Sequence, residues 1–265
     1  MKNLLYIAIG VALLSFTTSC TAIDNWDGPD SGVTGTVYDV YTQKPILASQ
    51  SELNIRIWER SYTGFEDGAS TYQTLNVKQD GTYNNSKLFS GTYDFYPYDG
   101  CFWSSPEDTI KGVVLQKGKK TVQDITVTPY LQIIDFKTEL VGEDLTIKYR
   151  VRAPLLSRND VNIGNLYWVR FFISFTMYCG NGNNSNIGFG EWHNPEYNGR
   201  KELNRRWTDV INDEGGNGVD TSPEYTLGPI TLKRGYLYRV RGGANTNTGS
   251  SRPYNYSEIV EIDLR

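Results

Sequence analysis

Apolar and polar residues alternate one by one along much of this chain. In Leu53–Trp58, Leu53, Ile55 and Ile57 alternate with Asn54, Arg56 and Trp58, the period-two pattern of a half-buried strand. The segments Val33–Val40, Tyr72–Lys78, Thr92–Tyr98, Ile110–Leu115 and Val122–Thr128 read the same way. Asp80-Gly81, Ser90-Gly91 and Lys117-Gly118 stand between them with turn chemistry. A second set of strands is expected at Ile133–Leu140, Leu145–Val151, Leu166–Tyr178 and Leu232–Arg241. In Leu166–Tyr178, Val169, Phe171, Ile173, Phe175 and Met177 form one apolar row. Trp168, Arg170, Phe172, Ser174 and Thr176 form the other, so the first row is expected to face a core. No long amphipathic helix pattern occurs. Evenly spaced strands without helices predict an all-β chain: two β-sandwich domains in tandem, 32–129 and 130–265.

The pattern is broken at the start. Lys2 precedes an apolar run from Leu4 to Phe16, and Thr17-Thr18-Ser19 lead to Cys20. Charged, apolar and small-residue regions in that order are expected of a secretory signal, residues 1–19. The run is well short of the roughly 20 residues that cross a bilayer as a helix. Cysteine directly after the small residues resembles a bacterial lipobox, although Thr17 stands where leucine is commoner. That resemblance implies cleavage before Cys20 and its lipidation, which would attach the chain to a membrane. Residues 20–31, with Asp24, Asp27 and Asp30 and no periodicity, read as a tether.

Charge narrows the function. Without residues 1–19 the chain has 25 basic against 30 acidic residues, which argues against a nucleic-acid partner. The 19 tyrosines and 6 tryptophans are many for a polar chain and suit strands. With Cys20 lipidated, Cys101 and Cys179 remain, in separate domains, and are expected as buried thiols.

Three resemblances follow from particular residues. Gly35-Thr36-Val37-Tyr38-Asp39, then Asp80-Gly81-Thr82-Tyr83 and Gly91-Thr92-Tyr93, resemble the carboxypeptidase regulatory-like (transthyretin-like) domain. That implies a binding or spacer sandwich without catalytic residues. Leu232, Gly235 and Tyr238 resemble the corner of a fibronectin type III-like or immunoglobulin-like sandwich, implying a structural role for the Tyr238 hydroxyl. The whole order resembles a family of two-domain outer-membrane lipoproteins of uncharacterised function that accompany polysaccharide-utilisation systems of the starch-utilisation type. The resemblance implies a cell-surface accessory whose partners are a TonB-dependent transporter, glycan-binding lipoproteins and a polysaccharide.

Candidate chemistry is concentrated in a long connection, 179–223. It contains Glu191-Trp192-His193-Asn194-Pro195-Glu196-Tyr197 and Arg205-Arg206-Trp207. Trp192, Tyr197 and Trp207 are candidate platforms for pyranose rings, with Asn194, Glu191 and Arg205 as hydrogen-bonding partners. The alternative is that Trp192 and Trp207 pin the connection to the sandwich. Trp58, outward on its strand, and Trp103 are further candidates in the first domain. A single histidine, His193, rules out a histidine-pair zinc site. No Gly-x-Ser-x-Gly elbow accompanies it. Neither metal nor cofactor is expected. A carboxylate pair of the glycosidase kind would have to come from Glu191, Glu196, Asp209, Asp213 and Glu214, and spacing alone brings no two of them together. The expectation is a non-catalytic protein that binds glycan or holds partner proteins.

Overall fold

The structure is a computed structural model that describes residues 28–61, 71–183, 199–248 and 253–265. The signal segment and Cys20 lie outside them, as do Glu191, Trp192, His193, Asn194, Glu196 and Tyr197. Nine strands come first: β1 (Ser31–Asp39), β2 (Asn54–Glu59), β3 (Gln73–Asn76), β4 (Thr82–Leu88), β5 (Gly91–Asp99), β6 (Phe102–Trp103), β7 (Ile110–Leu115), β8 (Lys120–Val122) and β9 (Ile125–Pro129). They form two facing sheets, β4-β1-β9-β6 with β8 beside β1, and β3-β2-β5-β7. After Tyr130 come β10 (Gln132–Val141), β11 (Asp144–Arg152), β12 (Leu166–Ser174), β13 (Arg200–Arg205), a single helical turn α1 (Trp207–Val210), β14 (Tyr225–Thr231), β15 (Leu237–Thr246), β16 (Asn255–Tyr256) and β17 (Val260–Asp263). Their sheets are β10-β11-β14 and β13-β12-β15-β16, with β17 also on β15. The fold is all-β.

The first core takes the inward residue of each alternating pair. Val33 and Val37, Ile55 and Ile57, Tyr93 and Phe95, Val113 and Leu115, Ile125 and Val127 form one buried cluster. The motif Gly35-x-Val37-x-Asp39 then has a physical reading. A Cβ on Gly35 would stand 1.9 Å from the Gln123 carbonyl oxygen, so β1 and the 123 segment approach this closely only with glycine. Val37 is fully buried. The Asp39 carboxylate accepts the Tyr41 N–H at 2.7 Å, closing the turn after β1. Its other oxygen accepts Gln132 Nε2 at 2.6 Å from the second sandwich.

In the second core, Tyr149 crosses from β11 to the opposite sheet. Its hydroxyl accepts the Arg170 N–H at 2.9 Å and donates to the Gly243 carbonyl at 2.8 Å. Gly242 lets the ring in, since a Cβ there would meet Tyr149 Cε1 at 2.8 Å. At the other end Tyr238 donates to the Lys233 carbonyl and accepts the Lys233 N–H, both at 2.9 Å. This is the closed corner that Leu232, Gly235 and Tyr238 imply. The 179–223 connection is only partly a loop. Its later part supplies β13, an edge strand on β12, and α1, whose Trp207 and Val210 are buried in the core.

The alternation in Leu166–Tyr178 misleads about its outer face. β12 ends at Ser174, and Phe175 and Met177 are outside the core at 36% and 61% exposure. Phe172, in the row expected outside, is fully buried, and Arg170 and Ser174 nearly so. The reason is a cover. Tyr254 and Tyr256 pack on Phe172 with ring centroids 5.2 and 5.4 Å away, and Leu47 of the first sandwich joins them. Arg241, 1% exposed on β15, donates through Nη1 to the carbonyls of Ala48 and Cys179, each at 3.0 Å. Its guanidinium lies 3.8 Å from the centre of the Tyr256 ring, and the Tyr256 hydroxyl donates to Glu52. Burial pulls the Arg241 guanidinium down to about 10, which leaves it charged at neutral pH.

Burial holds the Glu52 carboxyl above its usual range, and the Tyr256 hydroxyl opposes this only in part. Folded Glu52 therefore binds its proton more tightly than the unfolded chain does. Its contribution to stability is complete below the unfolded value and is lost as pH rises through the raised folded one. Urea unfolding of wild type and Glu52→Gln between pH 4 and 7 tests this. We expect wild type to lose stability relative to the variant as pH rises; a difference that is flat with pH contradicts a Glu52 carboxyl raised by burial.

Candidate functional site

Two of the insertion residues expected to meet a sugar are described, and neither is available. Trp207 is 3% exposed and packs in the second core, so its ring has no face open to a ligand. An indole of this size, placed at the start of a single helical turn, is held by the apolar area it buries. Arg205 holds the Asp213 carboxylate with both terminal nitrogens, Nη2 to Oδ1 at 3.0 Å. That pair keeps the Asp213 carboxyl below its ordinary value. Asp209 is paired with Arg206 at 3.2 Å. Neither aspartate is left facing a cleft as a free acid or base. Among the described residues no cluster of histidine, cysteine, aspartate or glutamate could hold a metal ion. Cys101 and Cys179 are buried free thiols, and burial pushes the Cys179 thiol up to about 12.

A different surface carries exposed aromatic rings. β2 and β5 send Ile55, Ile57, Tyr93 and Phe95 inward, which turns Arg56, Trp58, Tyr96 and Tyr98 outward. The antiparallel register sets Arg56 beside Tyr96 and Trp58 beside Asp94. Tyr72, just before β3, completes the group. Trp58 meets Tyr72 edge-on at 5.9 Å between centroids and Tyr96 at 6.5 Å, and Tyr96 meets Tyr98 at 6.0 Å. Tyr72 and Tyr98 are 43% and 41% exposed, while Trp58 and Tyr96 are half-buried. Four rings side by side on one sheet face form a continuous strip.

Charge is set into the strip at two points. The Arg56 guanidinium lies against two tyrosines, 4.2 Å from the centre of the Tyr72 ring and 3.1 Å from that of Tyr98. Arg60 lies 5.8 Å from the Trp58 ring and holds Asp94 at 2.8 Å. Asp94 also accepts the Gly112 N–H at 3.0 Å, which fixes it against β7. Tyr96 shares a 3.4 Å hydrogen bond with Ser104. Large rings held by neighbours lose little freedom when a ligand packs on them. The chemistry of such a face is stacking with hydrogen bonds at its edge.

Trp58 was visible from sequence as an outward indole. Tyr96, Tyr98 and Tyr72 were not assigned with it, because alternation gives each strand's faces but not that β5 lies beside β2. Trp103, the other candidate tryptophan of the first domain, packs against the second core with the Arg158 guanidinium 4.7 Å from its ring. It is a junction residue. The junction also opens into a cleft of 640 Å³ lined by Lys44, Ile46, Leu47, Gln132, Ile133 and Asn255 among others. Of the acids that line it, Asp39 is already satisfied by Gln132 and the β1 turn.

Residues 31–128 match the N-terminal domain of DUF3823, a family of proteins of unknown function. Among solved structures, the chain is similar to a candidate carbohydrate-binding protein from Bacteroides uniformis at 21% identity and a TM-score of 0.67. That likeness covers 89% of this chain and 100% of that one. DUF3823 family proteins from Bacteroides uniformis and Parabacteroides merdae are similar at 20% and 16% identity, with TM-scores of 0.63 and 0.61. Each again covers 89% of this chain and 100% of the other. No curated protein matches. At these identities the likeness establishes the fold, which this chain shares along most of its length with those structures.

Proposed function

We propose that this chain is a non-catalytic, lipid-anchored protein of the outer-membrane surface that binds glycan on the outer face of its first sandwich. The carrying observation is the strip of Trp58, Tyr72, Tyr96 and Tyr98. A pyranose presents a patch of C–H groups that packs on aromatic faces, and its hydroxyls seek the charged and amide groups at the edge. An open sheet face suits a polymer running across it, where a closed pocket would take only a chain end. A similar structure described as a candidate carbohydrate-binding protein supports the reading, as does the lipobox-like ending at Cys20. In this role the protein would hold polysaccharide near a TonB-dependent transporter and its glycan-binding lipoproteins.

Affinity electrophoresis or calorimetry with a panel of plant and host polysaccharides tests the site. Trp58→Ala and Tyr96→Ala should each weaken binding about tenfold, the equivalent of roughly 1.4 kcal/mol, with the circular dichroism unchanged. Unchanged affinity in both variants, or no binding to any polysaccharide, overturns the reading. The anchor is tested separately. Cys20→Ala should release the mature protein from the membrane fraction or stop its maturation, and normal cleavage with retained membrane association would contradict it.

A further inference from the structure

Resting on that reading, we infer that the glycan bound here carries carboxylates, and that Arg56 receives one of them. Among the described residues every arginine other than Arg56 and Arg200 holds an oxygen acceptor, as Arg60 holds Asp94 and Arg152 holds Asp220. Arg200 lies 5.1 Å from the Trp168 ring and has a further partner. Arg56 has two tyrosine rings and, among the described residues, no hydrogen bond or ion pair. This matters because of how a guanidinium is built. Its faces are weakly hydrated and stack on aromatic rings, while its N–H donors all point outward in the plane. With the guanidinium carbon over the rings of Tyr72 and Tyr98, the in-plane donor edge is the part left to bind.

A planar fork of donors matches a carboxylate in two parallel hydrogen bonds, which a hydroxyl cannot offer. The stacking also orders a side chain that would otherwise lose several rotamers on binding, so the fork is set before the ligand arrives. Arg56 sits between Tyr96, its direct cross-strand neighbour, and Tyr72. A sugar packed on the Trp58–Tyr96 part of the strip therefore brings its ring substituents to the Arg56 edge. Uronic acids place a carboxylate on the pyranose ring itself, next to the face that would stack on the strip. Arg60 cannot serve in its place, since its charge is already matched by Asp94 at 2.8 Å.

The full-length mature protein is titrated with oligogalacturonate, oligoglucuronate and oligoalginate, each beside its neutral methyl ester, and with neutral gluco- and xylo-oligosaccharides. Arg56→Gln and Arg56→Lys are measured in parallel. We expect at least one acidic oligomer to bind tenfold or more tightly than its ester. Arg56→Gln should remove that preference, Arg56→Lys should restore only part of it, and added salt should reduce it. The inference is overturned if acid and ester bind equally, if Arg56→Gln leaves the preference intact, or if only neutral oligomers bind. In that last case Trp58→Ala still abolishing binding would keep the glycan-binding reading and discard only the carboxylate. If wild type binds none of these oligomers the carboxylate inference falls, and if it also binds no polysaccharide of the wider panel both fall. A preference for sulfated over carboxylated glycans that depends on Arg56 would overturn the uronate assignment.

Discussion

The structure depends on a buried cation at the junction of its two sandwiches. Arg241 has lost nearly all its contact with water, and a guanidinium in that position is costly unless nearby groups answer its charge. Two carbonyls, Ala48 from the first sandwich and Cys179 from the second, take its Nη1 donor. The Tyr256 ring lies under its plane, and Glu52 sits at the far end of the Tyr256 hydroxyl. The acid is thus on one sandwich and the base on the other. Separating them would expose Phe172, Tyr254 and Tyr256 together and leave several polar groups without partners. Further ties surround it, from Gln79 to Met177 and Cys179, from Ser49 to Gly182, and from Gln132 to Asp39.

That junction determines which surfaces remain for binding. On the β13-β12-β15-β16 sheet, Tyr254 and Tyr256 together with Leu47 of the first sandwich cover Phe172, so the aromatic residues in that cluster are structural. Among the described residues the β3-β2-β5-β7 sheet has no such cover over its outward rings, where Tyr72 and Tyr98 are two-fifths exposed. Aromatic and cationic side chains alternate on both faces with opposite consequences. At the junction the arginine is enclosed and its Nη1 turns to backbone carbonyls. On the open sheet Arg56 is held only by ring faces, and its edge remains unmatched by protein among the described residues.

Much of this was legible in the sequence because a strand with one wet face writes its orientation every second residue. Ile55 and Ile57 face the core as their alternation with Arg56 and Trp58 requires, and Gly35, Val37 and Asp39 each have a definable task. The alternation failed where both faces are dry. On β12 the polar-looking row of Arg170, Phe172 and Ser174 is buried by residues more than 75 positions later and by the other sandwich. No local pattern signals a cover that distant. Trp207 failed for a related reason: a tryptophan amid polar residues looks like a surface ring, but α1 turns it back into the core. β13, with the sequence Arg200-Lys-Glu-Leu-Asn-Arg205, reads as loop because an edge strand needs little apolar content. The aromatic strip required knowing that β2 and β5 are neighbours though about 30 residues lie between them, and pairing of that range is not written in either strand.

The central claim is that the outer face of the first sandwich is where glycan sits. Hydroxyl-radical footprinting of the whole mature protein, with and without a polysaccharide that it binds, reads every exposed ring at once. The account predicts protection of Trp58, Tyr72, Tyr96 and Tyr98, with Phe175, Met177 and Tyr236 of the second sandwich labelled as before. Protection confined to any other surface, with those four rings still labelled, would contradict it.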